Sequence, residues 1–117
     1  MSTLKRILIV EDDPLIAMDL EDELADQGMP TVWAISVAQA NSILDNATPW
    51  VAILDMNLKA ETSFAIADRL LREEVPFVFV SGNDVSSLPD HLKSCTILSK
   101  PVLLDDVIRK IKTLGAP

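Results

Sequence analysis

The sequence predicts an α/β fold of the open (βα)5 type, with one parallel sheet and helices on both of its faces. Short apolar runs rich in β-branched residues alternate along the chain with longer segments whose apolar residues recur at helical spacing. Strands that alternate with helices form parallel sheets joined by right-handed crossovers. With 117 residues the chain can bury one core, so we expect a single domain over residues 1–117.

The predicted elements follow from the apolar runs and from the residues that interrupt them. The strands are the apolar runs at residues 4–10, 31–35, 50–55, 77–80 and 96–98. The helices are the amphipathic segments at residues 15–25, 37–46, 61–73 and 103–114. Pro14 fits the first turn of the first helix, and Ser36 can cap the second. Serines and Pro89 interrupt residues 84–92, so we expect any helix there to be short.

The composition argues against several classes of protein. The net charge of -8 at pH 7 does not favour nucleic acid or anionic membranes as partners and instead favours cations. No apolar run approaches the ~20 residues of a membrane span. The first ten residues lack the pattern of a signal peptide. The single cysteine, Cys95, excludes a disulfide framework and fits a cytoplasmic location.

The third strand carries the residue around which the predicted site is built. Residues 50–54 are apolar and run directly into Asp55, at the strand's carboxyl end. In an open parallel sheet, ligands bind outside the carboxyl ends of the strands. Other strands bring polar groups to this edge: the acids at 11–13, Ser81 and Lys100. In a sheet of order 2-1-3-4-5 the first and third strands are neighbours, which places the acids beside Asp55.

These strand ends predict a site for phosphoryl chemistry. Close carboxylates repel one another unless a cation is present, and Mg²⁺ suits carboxylate and phosphoryl oxygens. Lys100 can pair with Asp55 or with a phosphoryl oxygen, Ser81 adds a hydroxyl, and Gly82 leaves room for close approach. Taken singly, each is an ordinary turn or cap residue. Their coincidence at one edge suits attack by the Asp55 carboxylate on a phosphoryl group, giving an aspartyl phosphate.

Four stretches at the strand ends give the chain a resemblance to a known family. They are residues 9–13 (IVEDD), 53–58 (ILDMNL), 80–82 (VSG) and 99–101 (SKP). Together they resemble the receiver domain of two-component response regulators, over the whole chain. The resemblance implies a flavodoxin-like sheet of order 2-1-3-4-5. Residues 76–82 are partly similar to an alphaproteobacterial subgroup whose fourth strand reads Phe-Ala-Thr-Gly, where this chain has Phe-Val-Ser-Gly.

The resemblance also implies a role for each matching residue. Asp55 would be the phosphoacceptor, and Asp13 would be an extra acid at the edge of the site. Ser81 and Lys100 would contact the phosphoryl group. The implied ligands of Mg²⁺ are Glu11, Asp12, Asp55 and the backbone carbonyl of Asn57.

By the same resemblance, the protein would be a single-domain response regulator in two-component phosphorelay signalling. It would accept a phosphoryl group from a sensor histidine kinase or a phosphotransfer protein. It would then signal to an unidentified downstream protein through its last helix and residues 84–98, or act as a phosphate sink. We expect neither a DNA-binding nor an enzymatic output, no nucleic-acid or membrane partner, and no chemistry beyond phosphotransfer to its own Asp55.

Two other hypotheses remain open. Ile97 stands where many receivers carry Tyr or Phe, and the chain has no tyrosine, which favours a receiver-fold protein-binding module that does not switch. A small phosphatase with an Asp nucleophile is the third hypothesis. Asn57 argues against it, because it stands where such enzymes carry a second Asp. We expect Trp33 and Trp50 to lie away from the site.

Overall fold

Five parallel strands form the central sheet in this computed structural model, which describes residues 2–3, 6–82, 88–100 and 104–114. The strands are β1 (Ile7–Val10), β2 (Thr31–Ala34), β3 (Val51–Asp55), β4 (Phe77–Ser81) and β5 (Ile97–Ser99). They pair in the order β2-β1-β3-β4-β5. The predicted strand order is confirmed, and with it the flavodoxin-like fold.

Helices cover both faces of this sheet, as predicted. In the described part of the chain they are α1 (Pro14–Asp26), α2 (Val37–Asn46), α3 (Phe64–Arg72) and α4 (Leu104–Leu114). Successive residues of a strand point to opposite faces. In β1, therefore, Leu8 and Val10 face the core on the α2 and α3 side, whereas Ile7 and Ile9 face the core on the α1 and α4 side. Because both faces of the strand are buried, its sequence is a continuous apolar run.

The register of β1 against β3 sets the level of the residues that follow them. Ile7 pairs with Val51 and Val10 pairs with Leu54. Glu11, which follows Val10, and Asp55, which follows Leu54, therefore stand at the same height at the carboxyl edge of the sheet. The predicted neighbourhood of these two acids is thus a direct consequence of strand order and register.

Two helix starts are capped by side chains. Pro14 occupies the first turn of α1, and the carboxylate of Asp13 accepts a hydrogen bond of 2.9 Å from the backbone N–H of Leu15. Ser36 caps α2 as predicted, because its hydroxyl oxygen accepts a 3.2 Å hydrogen bond from the N–H of Gln39. Such caps satisfy backbone donors that have no partner within the helix.

The structure changes several predicted boundaries. The helix expected over 61–73 begins at Phe64, because Glu61–Thr62 pairs with Asn57–Leu58 in a short antiparallel hairpin. In the weak segment predicted over 84–92, Asp90–Leu92 forms a 3₁₀ helix, and residues 83–87 lie outside the described range. Residues 4, 5 and 103, at the starts of predicted elements, also lie outside it.

The outer surface of α1 is more apolar than its helical pattern predicts. Leu20 and Leu24 are buried, but Leu15 and Met18 are 72% and 53% exposed. Leu71 of α3 is also exposed. Among the described helices, none combines the length and the apolar character that a membrane crossing needs.

Candidate functional site

Three carboxylates meet at the carboxyl edge of the sheet. Glu11 and Asp12 follow β1 and Asp55 ends β3, and one oxygen from each lies within 4.8 Å of the other two. Glu11 and Asp55 are buried, with 3% and 7% of their surface exposed, and Asp12 is half-buried. The structure thus brings together the side chains of three of the four residues that were predicted to bind a metal. Asp13 is not part of this group, since its carboxylate caps α1.

The charge of the cluster is unbalanced. Burial, followed by a side-chain hydrogen bond with Asp55, raises the pKa of the Glu11 carboxyl from 4.5 to about 8. The backbone N–H of Asp13, which donates to Glu11 Oε2 at 3.1 Å, and the charge of Lys100 lower it in part. Around neutral pH the Glu11 carboxyl therefore keeps its proton unless a cation takes its place. An oxygen-rich set with this excess of negative charge fits Mg²⁺, a hard divalent cation.

Lys100 brings a positive charge to the same place from β5. Its Nζ donates to Asp55 Oδ2 at 3.2 Å, and the two side chains are 31% and 8% exposed. The backbone N–H of Lys100 donates to the carbonyl of Ser81 at 2.7 Å, which continues the pairing of β4 with β5 beyond Ser99. This places the lysine at the edge of the sheet, within reach of Asp55.

Ser81 and Gly82 lie at the carboxyl end of β4, the strand between β3 and β5. Ser81 is the last residue of β4 and is 3% exposed. A Cβ added to Gly82 would lie 3.4 Å from Cδ of Lys100. A side chain at position 82 would therefore contact the aliphatic chain of Lys100.

The loop after Asp55 closes over the cluster. The N–H of Asn57 donates to Asp55 Oδ1 at 3.3 Å, and the N–H of Lys59 donates to Asp12 Oδ2 at 2.6 Å. Glu61 holds the far end of the loop, because its carboxylate accepts a 3.1 Å hydrogen bond from the N–H of Val37 at the start of α2. The predicted elements leave a loop over residues 56–60, but the pairing of Asn57–Leu58 with Glu61–Thr62 was not predicted. Ser63, a cap-type residue directly before Phe64, was the signal for the later helix start.

Trp33 lies at the site, so the prediction that it lies away from it is wrong. Its indole Nε1–H donates to the backbone carbonyl of Glu11 at 2.7 Å. Trp33 pairs with Ile9 in the sheet, and its large side chain extends two residues further along β1. Trp50 stands just before β3, at the end opposite Asp55, and packs against the core on the α1 and α4 side.

Two further features surround the cluster. A cleft of about 550 Å³ lies between α1 and α4, with Glu11, Asp55 and Lys100 in its wall. Its apolar lining includes Ile9, Ile16, Leu20, Ile53, Val80 and Val107. On the other face, Ile97 begins β5 and packs, half-buried, against the core on the α2 and α3 side. An aliphatic side chain therefore occupies the position at which the family resemblance would place an aromatic ring.

Comparison with known proteins agrees with this geometry. The family model of the response regulator receiver domain matches residues 7–112. The solution structure of SdrG from Sphingomonas melonis Fr1 is 38% identical, covering 97% of this chain and 98% of that one, with a TM-score of 0.79. The BeF3-activated conformation of SdrG from Pseudomonas melonis Fr1 is 36% identical with the same coverage and a TM-score of 0.76.

A more distant solved structure shows the same fold. The CheY-like response regulator receiver domain protein from Methanospirillum hungatei JF-1 is 25% identical, covering 95% of this chain and 93% of that one, with a TM-score of 0.83. A search of the curated proteins found no match.

Proposed function

This chain belongs to the response regulator receiver family of two-component signalling, and we propose that it accepts a phosphoryl group on Asp55. The donor would be a histidine kinase or a phosphotransfer protein, and Mg²⁺ would be required. The observation that carries the proposal is the placement of Asp55. Its buried carboxylate stands between two other acids and the ammonium group of Lys100.

The residues around Asp55 suit phosphoryl transfer. A carboxylate oxygen of Asp55 would attack phosphorus, forming a P–O bond while the bond from phosphorus to the donor's imidazole nitrogen breaks. Lys100 lies 3.2 Å from the carboxylate and would offset charge on the phosphoryl oxygens. Ser81, at the neighbouring strand end, would donate a hydrogen bond to the same group. The reaction modifies the protein itself, so we propose no turnover of a separate substrate.

The metal would be held by the carboxylates of Glu11, Asp12 and Asp55 and by the backbone carbonyl of Asn57. When bound, Mg²⁺ would neutralise negative charge on the carboxylates and on the phosphoryl oxygens. The raised pKa of Glu11 supports this assignment, because burial and the neighbouring Asp55 disfavour the ionised carboxylate, and a bound cation would favour it.

Intact-protein mass spectrometry after incubation with acetyl phosphate tests the proposal. The wild-type protein should gain one phosphoryl group in the presence of Mg²⁺ and none after chelation. The variant Asp55→Asn should gain none under either condition, whereas equal labelling of the variant would overturn the assignment.

The exposed apolar residues of α1 support a docking surface for the phosphoryl donor. Leu15 and Met18 lie within two turns of Asp13, at the edge of the acidic cluster. A protein donor must bring its phosphoryl group to Asp55, and so must cover this part of α1. The double variant Leu15→Ser, Met18→Ser should slow transfer from a protein donor but not from acetyl phosphate. Equal slowing with both donors would contradict the docking role.

A second candidate function, that of a binding module without a switch, is favoured by Ile97. This residue supplies no aromatic ring next to the site. Beryllofluoride, which appears in the activated conformation of the related SdrG structure, separates the two functions. If Asp55 switches the protein, Mg²⁺ with beryllofluoride should shift amide resonances in β5 and α4 as well as near Asp55. Shifts confined to the acidic cluster would favour the binding module.

A further inference from the structure

We propose that Trp33 is a positioning residue for the metal-binding acids. Its indole N–H fixes the peptide group that joins Glu11 to Asp12, and so sets the directions of the two carboxylates. The inference rests on the proposed Mg²⁺ site, to which it adds a residue outside the ligand set.

The hydrogen bond made by Trp33 lies just beyond the regular pairing of β1 with β2. That pairing ends with Val10 opposite Ala34, and the N–H of Glu11 makes one further bond, of 3.1 Å, to the carbonyl of Ala34. The next backbone acceptor along the chain is the carbonyl of Glu11. The indole of Trp33 donates to it at 2.7 Å, so a side chain supplies the donor where strand β2 has ended.

This carbonyl belongs to the peptide unit between the two acids. A peptide unit is planar, so fixing its carbonyl also fixes the N–H of Asp12 and restricts rotation on both sides. These rotations determine how the carboxylates of Glu11 and Asp12 are directed relative to each other. Groups that orient metal ligands in this way affect metal affinity even though they do not touch the metal.

The ring of Trp33 is itself held in place. It is partly buried and packs against the core cluster that contains Ile9 and Leu20. An indole has only two side-chain torsions, so packing of this kind leaves its N–H with a defined direction. The same side chain thus joins the core on the α1 side to the backbone of the acidic cluster.

Calorimetric titration with Mg²⁺ compares Trp33→Phe with the matched control Trp50→Phe. The phenyl ring keeps apolar packing but has no donor. We expect the dissociation constant of Trp33→Phe to rise roughly three- to tenfold, and that of Trp50→Phe to equal the wild-type value. If the wild-type protein does not bind Mg²⁺, the proposed function fails. If it binds and Trp33→Phe binds equally well, the role of Trp33 alone fails.

A second measurement serves if Trp33→Phe does not fold. In Trp50→Phe the chain has one indole, so its N–H resonance belongs to Trp33. Replacing that residue with the tryptophan analogue that carries sulfur in place of the N–H removes the donor and keeps a fused aromatic ring of similar shape. We expect the protein that contains the analogue to bind Mg²⁺ more weakly than Trp50→Phe. In Trp50→Phe itself, the chemical shift of the Trp33 indole N–H should change when Mg²⁺ is added. An unchanged affinity for Mg²⁺ in the analogue protein, or an indole chemical shift that does not change when Mg²⁺ is added, would overturn the proposal.

Discussion

The ammonium group of Lys100 lies 3.2 Å from Oδ2 of Asp55, although Asp55 ends β3, Lys100 follows β5, and β4 separates these two strands. The aliphatic chain of the lysine runs beside Gly82, the residue after β4. A Cβ at that position would already touch the lysine's Cδ, at 3.4 Å. The proposed phosphoacceptor is therefore paired with a cation in the unphosphorylated protein.

Replacing this lysine should slow phosphorylation without unfolding the protein. Lys100→Ala removes the positive charge beside Asp55, so its rate with acetyl phosphate and Mg²⁺ should fall by about 10- to 100-fold. Lys93→Ala is the control. It removes an equal charge from an exposed lysine paired with Asp90. Equal rates for the two variants would show that Lys100 has no part in the transfer.

Glu11 should make the metal-free protein less stable as pH rises. Its folded-state pKa is about 8 against an ordinary 4.5, so the folded protein binds more protons between these values. The stability that protonated Glu11 confers is complete below pH 4.5 and is lost as pH rises through about 8. Glu11→Gln cannot lose this proton. From pH 5 to pH 8, wild type should lose at least ~1 kcal/mol more unfolding free energy than Glu11→Gln.

Urea denaturation in the presence of a chelator measures this difference. Adding Mg²⁺ should reduce the pH dependence of the wild-type protein, because the cation stabilises the ionised carboxylates. Mg²⁺ should change the unfolding free energy of Glu11→Gln less, because this variant lacks one of the negative charges that would bind the cation. Parallel pH profiles for the two metal-free proteins would contradict the raised pKa of Glu11.

Two serines that precede helices should respond oppositely to substitution. Ser36 caps α2 through a hydrogen bond to Gln39, so Ser36→Ala should lower the unfolding free energy by about 1 kcal/mol. Ser63 precedes α3 and is fully buried, but its hydroxyl makes no cap bond and has no hydrogen-bond partner among the described residues. Ser63→Ala should therefore leave stability unchanged or raise it by up to ~1 kcal/mol. A similar loss in both variants, measured by urea denaturation, would contradict this assignment.

The part of the site that could be predicted from the sequence is the part that depends on strand order. Each strand is a recognisable apolar run, and a parallel sheet brings the residues that follow the runs to one edge. Glu11 and Asp55 become neighbours for that reason alone. Lys100 follows from the same rule, because it comes directly after β5 at the same edge of the sheet.

The rest of the site depends on contacts between distant parts of the chain. The bond from Val37 to Glu61 joins residues 24 positions apart, and no local pattern marks it. Glu61 instead looks like an acid in the first turn of a helix, which is why the predicted helix started too early. The hydrogen bond from Trp33 to the carbonyl of Glu11 was also not predicted, because a tryptophan on an edge strand is usually explained by packing alone.

The most direct test of the account is to locate the phosphoryl group chemically. Sodium borohydride reduces an aspartyl phosphate to homoserine, which peptide mass spectrometry can place in the sequence. After treatment with Mg²⁺ and acetyl phosphate, the account predicts homoserine at position 55 and at no other aspartate. Homoserine at Asp12 or Asp13, or none in a protein that binds Mg²⁺, would contradict the assignment of Asp55 as the phosphoacceptor.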